Sequence, residues 1–339
     1  MRGVVMHAPG DVRVEEREDP RIEEPTDAII RLTATCICGS DLWPYRGAEH
    51  VDHAPMGHEY VGVVEEIGPQ VRDVKVGDFV VGSFWSSDNT CEICQAGYQA
   101  YCVHRTLMGL IGTQAEKARI PLADGTLVAT PGMPSADLIP SFLAASDVLG
   151  TGWFAAVAAE AGPGKTVAVV GDGAVGLCGV LAARELGAER IIAFSRHADR
   201  QALAREFGAT DIVTERGEAG AARITELTGG LGAHSVIEAV GTQEAMMQAI
   251  ASTRAGGHIG FVGVSHEVAI PGDVLFGAGV HLHGGPAPVR RFLPDLVQRI
   301  WDRQIDPGRV FDLVLPLEEA AAGYRAMDER RATKVMLTL

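Results

Sequence analysis

The sequence lacks an excess of positive charge. Of its 339 residues, 44 are acidic and only 29 are lysine or arginine, so the formal net charge at pH 7 is −15. Proteins that bind nucleic acids carry clustered positive charge on one face. No block of basic residues is present that would attract a membrane surface either. We therefore expect neither nucleic acid nor a membrane as a partner.

Long apolar segments are also missing. The longest candidate, residues 147–162, is too short to span a bilayer and carries charges towards both ends. Residues 1–16 contain no apolar run of the length found in signal peptides. These two absences predict a cytoplasmic protein.

Cysteine is scarce and unevenly distributed. There are six cysteines, and five of them, at positions 36, 38, 91, 94 and 102, fall in the first third of the chain. Without a secretion signal, such clustering favours metal binding over disulfides. Cys36 and Cys38 are separated by one residue, a spacing too tight for a usual zinc clip and strained for a disulfide.

The chain is long enough for two domains, and its 47% hydrophobic content can fill two cores. Residues 1 to about 130 contain short β-branched runs bounded by Gly, Pro and Asp, typical of antiparallel strands. From about residue 137, strands alternate with alanine-rich helices, one of them expected over residues 242–256. This alternation predicts an α/β domain with a parallel sheet covered by helices on both faces. The closing segment is too short for a core of its own, and we expect it to return to the first domain.

A glycine-rich turn joins the first strand and helix of this alternating region. Residues 171–176 read Gly-Asp-Gly-Ala-Val-Gly. Gly171 permits a tight turn, Gly173 lets the backbone approach a pyrophosphate, and Gly176 allows the helix to pack closely on the strand. With the backbone of Ala174 and Val175, this turn predicts a dinucleotide site at the positive end of a helix.

The end of the second strand indicates which nicotinamide cofactor is used. NAD-binding proteins usually have an acidic side chain there, whereas this sequence reads Phe194-Ser195-Arg196-His197. Ser195 can donate to a 2′-phosphate, and the planar fork of Arg196 matches phosphate oxygens. We therefore predict NADP, with the alternative that Arg196 points into water. Arg200 could support either cofactor.

A histidine in the first domain extends the metal-binding pattern. Gly57-His58-Glu59 follows Cys38 by twenty residues, just before a predicted strand. Catalytic zinc takes three protein ligands and leaves a fourth position for water or substrate. A thiolate and an imidazole in one domain are suitable members of such a set.

Taken with the glycine turn, these motifs resemble those of the zinc-dependent alcohol dehydrogenases of the medium-chain dehydrogenase/reductase superfamily. The likeness covers the whole chain and includes CGSDL, GHEYVGVVEEIG, VGDFVV, GTGWFAA and LPLEEAAAGYRAM. It implies a GroES-like, mostly-β catalytic domain over residues 1–149, completed by 288–339, and a doubly wound Rossmann cofactor domain over 150–287. It also implies zinc ligation by Cys38, His58 and Asp147, with Glu59 as a supporting or transient ligand.

The same resemblance assigns a proton relay that begins at Ser40. Many members of the family have a histidine three residues after this hydroxyl, but this chain has Trp43. His50 and His53 are candidates to replace it through a folded-back loop, or else are ordinary surface histidines. The final proton acceptor is left open.

A second, incomplete cysteine set resembles the family's structural-zinc lobe. Cys91, Cys94 and Cys102 have the expected spacing, while Asp88 stands in the first position. A carboxylate is an acceptable zinc ligand. We expect Asp88 to complete the site, with a lobe that holds no zinc as the alternative.

The predicted function is oxidoreduction, with a hydride passing between NADP(H) and an alcohol, aldehyde or ketone. The nearest alternative is a polyol, threonine or sugar dehydrogenase that uses NAD. Cys36 and Cys178 are expected to be buried hydrophobic residues. A homotetramer or dimer is expected, paired along residues 280–285. The predicted substrate pocket consists of Trp43, Phe84, Trp85 and Leu110.

Overall fold

A computed structural model describes all residues from Met1 to Leu339. The chain divides into two compact units. The first comprises Met1–Gly150 and Pro288–Leu339, and the second comprises Thr151–Ala287.

The β-structure consists of sixteen strands. They are β1 (Arg2–Ala8), β2 (Asp11–Glu16), β3 (Ala28–Ile37), β4 (Ala54–Pro55), β5 (Tyr60–Ile67), β6 (Phe79–Gly82), β7 (Lys117–Ile120), β8 (Leu127–Ala129), β9 (Thr166–Val170), β10 (Arg190–Phe194), β11 (Asp211–Val213), β12 (Ala233–Glu238), β13 (Thr253–Phe261), β14 (His281–Gly284), β15 (Leu313–Pro316) and β16 (Val335–Thr338).

Twelve α-helices accompany these strands. They are α1 (Leu42–Tyr45), α2 (Glu92–Gln95), α3 (Ala123–Thr126), α4 (Ile139–Ala145), α5 (Val148–Ala158), α6 (Ala174–Glu185), α7 (Ala198–Phe207), α8 (Gly217–Leu227), α9 (Gln243–Ser252), α10 (Gly272–Ala278), α11 (Val289–Trp301) and α12 (Ala320–Asp328). Short 3₁₀ turns cover Gln99–Tyr101, Met108–Leu110, Ala136–Leu138, Pro307–Val310 and Leu317–Glu319.

The first unit is built around a seven-stranded sheet. Its strand order is β15-β16-β3-β5-β6-β8, and β7 pairs with β3. All its pairings are antiparallel except that of β15 with β16. A second sheet has the order β2-β1-β4. Tyr60 is fully buried in the larger sheet, and a Cβ on Gly82 would lie 2.2 Å from its ring, so glycine is required there.

The second unit contains a six-stranded parallel sheet with the order β11-β10-β9-β12-β13-β14. Counted from β9, this is the 3-2-1-4-5-6 order of doubly wound folds, in which ligands bind beyond the carboxyl ends of the central strands. Val170 ends β9, and the glycine turn follows it directly. The cofactor turn therefore lies where the strand order reverses.

The helix expected over residues 242–256 is shorter than predicted. It begins at Gln243 and ends at Ser252, and β13 starts at the next residue. Thr253 pairs with Ala233 of β12, and its hydroxyl donates to the carbonyl of Ala249 in the last helical turn. Pairing with β12 overrides the helical pattern of the sequence. Helix α10 was not predicted.

No single helix is long and apolar enough to cross a membrane. The bent helix pair formed by residues 136–145 and 148–158 passes the same length and composition test when its two parts are taken together.

Candidate active site

Four buried side chains of the first unit come together at one point. Cys38 follows β3, His58 and Glu59 precede β5, and Asp147 precedes α5. Their ligand atoms all lie within 4.8 Å of one another. The Asp147 Oδ2 atom is 3.8 Å from the Cys38 sulfur and 3.4 Å from His58 Nε2. The four residues implied by the resemblance thus form one cluster.

Asp41 holds two members of this cluster in place. Its Oδ2 accepts a hydrogen bond from the Cys38 backbone N–H at 3.0 Å, and its Oδ1 lies 3.5 Å from His58 Nδ1. The imidazole therefore directs its other nitrogen, Nε2, towards Asp147. A carboxylate behind a ligating histidine fixes the orientation and tautomer of the ring.

A buried amide and phenol support Asp41 in turn. Gln114 Nε2 lies 3.1 Å from Asp41 Oδ2 and 3.1 Å from the carbonyl oxygen of Cys36, and it donates to both. The Tyr324 hydroxyl donates to Gln114 Oε1 at 3.0 Å. Gly57, which has φ +95°, allows Gln114 to come this close, because a Cβ there would lie 2.5 Å from its side chain. Every polar atom of this amide is thus engaged.

Glu59 is fully buried and paired with a buried lysine. Lys334 Nζ contacts Glu59 Oε1 at 2.7 Å and the Ile37 carbonyl oxygen at 3.3 Å. The second carboxylate oxygen, Oε2, is buried without a hydrogen-bond partner. Lys334 therefore balances the charge of the carboxylate, while the lone pairs of Oε2 remain available to the ligand cluster.

The charges in this cluster favour a bound cation. Burial raises the pKa of the Cys38 thiol, and the Glu59 carboxylate raises it further. Burial opposes protonation of His58, but the Cys38 thiol and the carboxylates of Asp147 and Asp41 outweigh it and raise the pKa of the imidazole well above its usual value. A thiolate, an imidazole and a carboxylate form a donor set suited to catalytic zinc. The unpartnered Glu59 oxygen provides a further donor atom, so the residues fit the metal.

Cys36 is a buried residue of β3, two positions before Cys38. It is fully buried on β3 opposite Met336 of β16. Burial, together with the nearby Glu59 charge, raises the pKa of its thiol well above the ordinary value. It does not belong to the four-residue ligand cluster.

The predicted relay and pocket residues occupy different surroundings. Ser40 is half-buried in the turn after Cys38, and its carbonyl accepts from the Trp43 N–H at 3.1 Å. Phe84 packs edge-on against the His58 ring at 6.1 Å between centroids. The Trp85 ring instead lies under the Arg105 guanidinium at 4.7 Å, and Leu110 is 74% exposed.

The two histidines considered for the relay lie on the surface. His50 is exposed. His53 Nδ1 contacts Asp52 at 2.6 Å, and its ring packs edge-on against His7 at 4.3 Å. The partners of His53 are thus an exposed aspartate and a histidine of β1.

A second cluster is formed by Asp88, Cys91, Cys94 and Cys102, whose ligand atoms also lie within 4.8 Å of one another. The Cys102 sulfur accepts from the Asp88 and His104 backbone N–H groups at 3.3 and 3.4 Å. Burial raises the pKa of the Cys102 thiol, and these two backbone contacts act in the opposite direction by favouring the thiolate. Three sulfurs and a carboxylate fit zinc.

The Asp88 carboxylate is already engaged on both oxygens. Its Oδ1 accepts from the backbone N–H groups of Thr90 and Cys91, and its Oδ2 lies 2.7 Å from His104 Nδ1. Burial opposes ionisation of Asp88, but these hydrogen bonds outweigh it and hold its pKa below the usual range. Asp88 is therefore ionised, as a ligand must be.

The glycine turn of the second unit has the geometry that a pyrophosphate requires. Gly171 has φ +118°, and a Cβ on Gly173 would meet nothing within 4 Å, which leaves open space beside its backbone. A Cβ on Gly176 would lie 1.9 Å from the Gly171 carbonyl oxygen. Helix α6 begins at Ala174, so its first N–H groups face this space. These residues fit a dinucleotide.

The sequence has no carboxylate at the end of β10, but the fold brings one there from the glycine turn. Asp172 Oδ2 accepts from the Ser195 hydroxyl at 2.8 Å, and Asp172 Oδ1 lies 3.2 Å from Arg200 Nη1. Arg196 is exposed. Two of the three side chains expected to bind the 2′-phosphate therefore already contact a carboxylate.

Several supporting residues were missed in the sequence. Asp41 lies inside the CGSDL motif, so its position was itself a signal. Lys334 is a charged residue directly before the apolar strand β16. Asp172 stands inside the glycine motif and Tyr324 inside the LPLEEAAAGYRAM segment, whereas nothing local marks Gln114.

Comparison with known proteins gives a consistent result. Residues 24–131 match the alcohol dehydrogenase GroES-like domain family, and residues 174–286 match the zinc-binding dehydrogenase family. The chain is 35% identical to zinc-type alcohol dehydrogenase B of Aspergillus flavus over 99% of its length and 81% of that protein. It is also 35% identical to a probable zinc-binding alcohol dehydrogenase of Mycobacterium tuberculosis, over 100% of this chain and 88% of that one.

A solved structure supports the same conclusion. The alcohol dehydrogenase TADH from Thermus sp. ATN1 superimposes with a TM-score of 0.90 at 32% identity, covering 100% of this chain and 99% of that one. The predicted GroES-like and Rossmann folds and the predicted enzyme class are confirmed. The chain is thus a zinc-dependent oxidoreductase that uses a nicotinamide cofactor, and it belongs to the zinc-type alcohol dehydrogenases of the medium-chain dehydrogenase/reductase superfamily.

Proposed function

We propose that this enzyme transfers hydride between NADP(H) and an alcohol, aldehyde or ketone, with zinc held by Cys38, His58 and Asp147. The observation that carries the proposal is the convergence of these three buried side chains within 4.8 Å. When bound, zinc supplies a Lewis acid for the substrate oxygen, and the cofactor carries the hydride. Glu59 supports the site through its unpartnered oxygen.

Ser40 is proposed to begin the proton relay. It lies in the turn directly after Cys38, half-buried, where its hydroxyl can both accept and donate a proton. Trp43 replaces the relay histidine found in many relatives. The edge-on contact between Phe84 and His58 places an aromatic ring beside the ligand cluster, which favours a substrate with an apolar portion.

The cofactor is proposed to be NADP(H) in preference to NAD(H). The turn from Gly171 to Gly176 holds the pyrophosphate, and Arg196 meets the 2′-phosphate with help from Ser195 and Arg200. Arg196 supports this assignment because it is exposed beside the end of β10 and has no ion-pair partner.

A second zinc is proposed at Asp88, Cys91, Cys94 and Cys102. The ionised carboxylate and the backbone N–H groups that point at the Cys102 sulfur support it. We place the catalytic domain at residues 1–149 and 288–339, and the cofactor domain at 150–287. Strand β14 is the edge of its sheet, with β13 as its one neighbour, and is the proposed pairing edge of a dimer or tetramer.

A panel of simple alcohols, polyols, threonine and sugars, assayed with NADP and with NAD alongside zinc quantification, tests this function. We expect NADP-dependent oxidation of simple alcohols and about two zinc ions per chain. Preferential turnover of polyols, threonine or sugars with NAD would support the alternative. No turnover of any member with either cofactor would overturn both.

The ligand assignment is tested by Cys38→Ser and His58→Ala. Each variant should lose turnover and one zinc while binding NADPH as the wild type does, because the glycine turn lies in a separate unit. Cys36→Ser is the matched control, since this buried cysteine is two residues away and lies outside the cluster. Full activity in Cys38→Ser would refute the proposed ligand set.

A further inference from the structure

The glycine turn contains an aspartate whose carboxylate contacts side chains beyond the end of the neighbouring strand β10. Asp172, the second residue of the turn, is 14% exposed and contacts both Ser195 and Arg200. We name these three residues the Asp172 triad. The aspartate belongs to the turn after β9, while its two partners lie after β10 and in α7.

This triad lies where doubly wound folds bind the ribose of the cofactor. Strands β9 and β10 are parallel neighbours, so their carboxyl ends meet at the same edge of the sheet. In doubly wound folds an acidic residue near the end of the second strand accepts hydrogen bonds from the ribose hydroxyls. Here Asp172 brings a carboxylate to that position from the preceding turn.

The surrounding backbone holds the triad in place. Ser195 is 3% exposed, its N–H donates to the Val213 carbonyl at 3.0 Å, and its own carbonyl accepts from Gln201 Nε2 at 2.9 Å. The Ser195 hydroxyl also accepts from the His197 N–H at 3.3 Å and donates to Asp172. The Ser195 hydroxyl therefore has a fixed position, and it orients the Asp172 carboxylate to which it donates.

The charges of the triad act differently on the two cofactors. Asp172 and Arg200 contribute no net charge together, so Arg196 provides the net positive charge of the site, while the Asp172 oxygens still act on groups that come close to them. A ribose 2′-hydroxyl can donate a hydrogen bond to the carboxylate, and hydrogen bonds to charged groups are the stronger ones. A 2′-phosphate has negative oxygens instead, which the same carboxylate repels.

We propose that Asp172 recognises the 2′ position of the cofactor ribose. Its carboxylate accepts a hydrogen bond from the 2′-hydroxyl of NAD(H) and so limits the preference for NADP(H) that Arg196 confers. This inference rests on the proposed cofactor site. The protein accordingly binds both cofactors, with NADP(H) favoured by a modest factor.

Direct binding measurements on the purified full-length protein test this inference. Dissociation constants for NADH and NADPH are measured by isothermal titration for the wild type and for Asp172→Asn. The asparagine can still accept from Ser195 but lacks the charge. We expect the dissociation constant of NADH to rise about tenfold and that of NADPH to fall.

Asp199→Asn is the matched control, because it removes one exposed negative charge from the first turn of α7. It should leave the ratio of the two constants unchanged. An equal shift in both variants would show a general charge effect and overturn the proposal. Equal weakening of both cofactors in Asp172→Asn, or weakening of NADPH alone, would overturn it too, since Asp172 would then only shape the turn or position Arg200.

A second variant covers the case in which Asp172→Asn does not fold. Arg200→Gln releases the carboxylate from its ion pair, so NADPH should bind more weakly while NADH binding is kept. Unchanged binding of NADPH would contradict the proposal. A wild type that binds neither dinucleotide, or that strongly prefers NADH, would instead defeat the proposed function.

Discussion

At the residue scale, the site depends on side chains that pair buried charges. Glu59 and Lys334 are 0% and 1% exposed, and their ion pair lies directly behind the ligand cluster. Removing one partner of a buried pair leaves an uncompensated charge, which is more costly than the net value of the pair itself. Lys334 therefore supports the site through Glu59, the one member of the candidate ligand cluster with which it forms an ion pair.

We predict that Lys334→Met destabilises the protein by about 3–5 kcal/mol. The methionine fills most of the space of the lysine but leaves the Glu59 carboxylate buried without its cation. Denaturant unfolding measures the loss. The double variant with Glu59→Gln is the control and should recover a large part of it, because no charge then remains. A single variant as stable as the wild type would contradict the prediction.

At the element scale, two glycines of one turn have separate functions. Both belong to the connection between β9 and α6, and both are predicted from the sequence to be needed. A Cβ at Gly176 collides with the Gly171 carbonyl, whereas a Cβ at Gly173 meets no protein atom. Gly176 is therefore needed for the packing of α6 on β9, whereas Gly173 is needed for the ligand.

Gly173→Ala should change stability by less than about 1 kcal/mol but weaken NADPH binding by about tenfold or more, because its methyl group fills the space of the pyrophosphate. Gly176→Ala should instead lower the free energy of unfolding by about 3 kcal/mol. Thermal unfolding and isothermal titration on both variants measure these effects. Equal loss of stability in the two variants would be inconsistent with the open space at Gly173.

The cysteine lobe around α2 gives a second prediction at this scale. Asp88→Cys should supply a fourth thiolate. About ten times as much chelator should then be needed to remove half of the zinc from this site. Competition with a coloured chelator measures this. Thr90→Cys, which adds an exposed thiol nearby, should not change the resistance. If Asp88→Cys released zinc as easily as the wild type, Asp88 would not be a ligand.

The sequence predicted those parts of the fold and site that depend on short motifs. The strand-turn-helix around Gly171 and the CGSDL and GHE motifs mark their own positions. Contacts between distant segments could not be predicted in this way, since Lys334 is 275 residues from Glu59 and Tyr324 is 210 residues from Gln114. The end of α9 was misplaced for a related reason, because pairing between β12 and β13 decides where the strand begins.

At the scale of the whole molecule, the candidate sites for metal and for cofactor lie in different units. Both candidate metal clusters lie in the first unit, and the glycine turn and the Asp172 triad lie in the second. The two proposed sites are therefore built on separate cores.

Removal of zinc by a chelator should abolish turnover but change the dissociation constant of NADPH by less than about threefold. Turnover should return when zinc is added back. Fluorescence titration of NADPH before and after chelation, with the zinc content measured in parallel, provides the check. Loss of NADPH binding together with the metal would show that the second unit depends on the first.

The position of β16 has a consequence for biosynthesis. This strand lies between β15 and β3 in the main sheet, and the lysine just before it neutralises a carboxylate near the start of β5. A growing polypeptide emerges from the ribosome N-terminal end first, so the segments with Cys38, His58 and Asp147 appear long before that lysine. The proposed metal centre, with Glu59 paired to Lys334, can therefore be completed only after β16 has been translated.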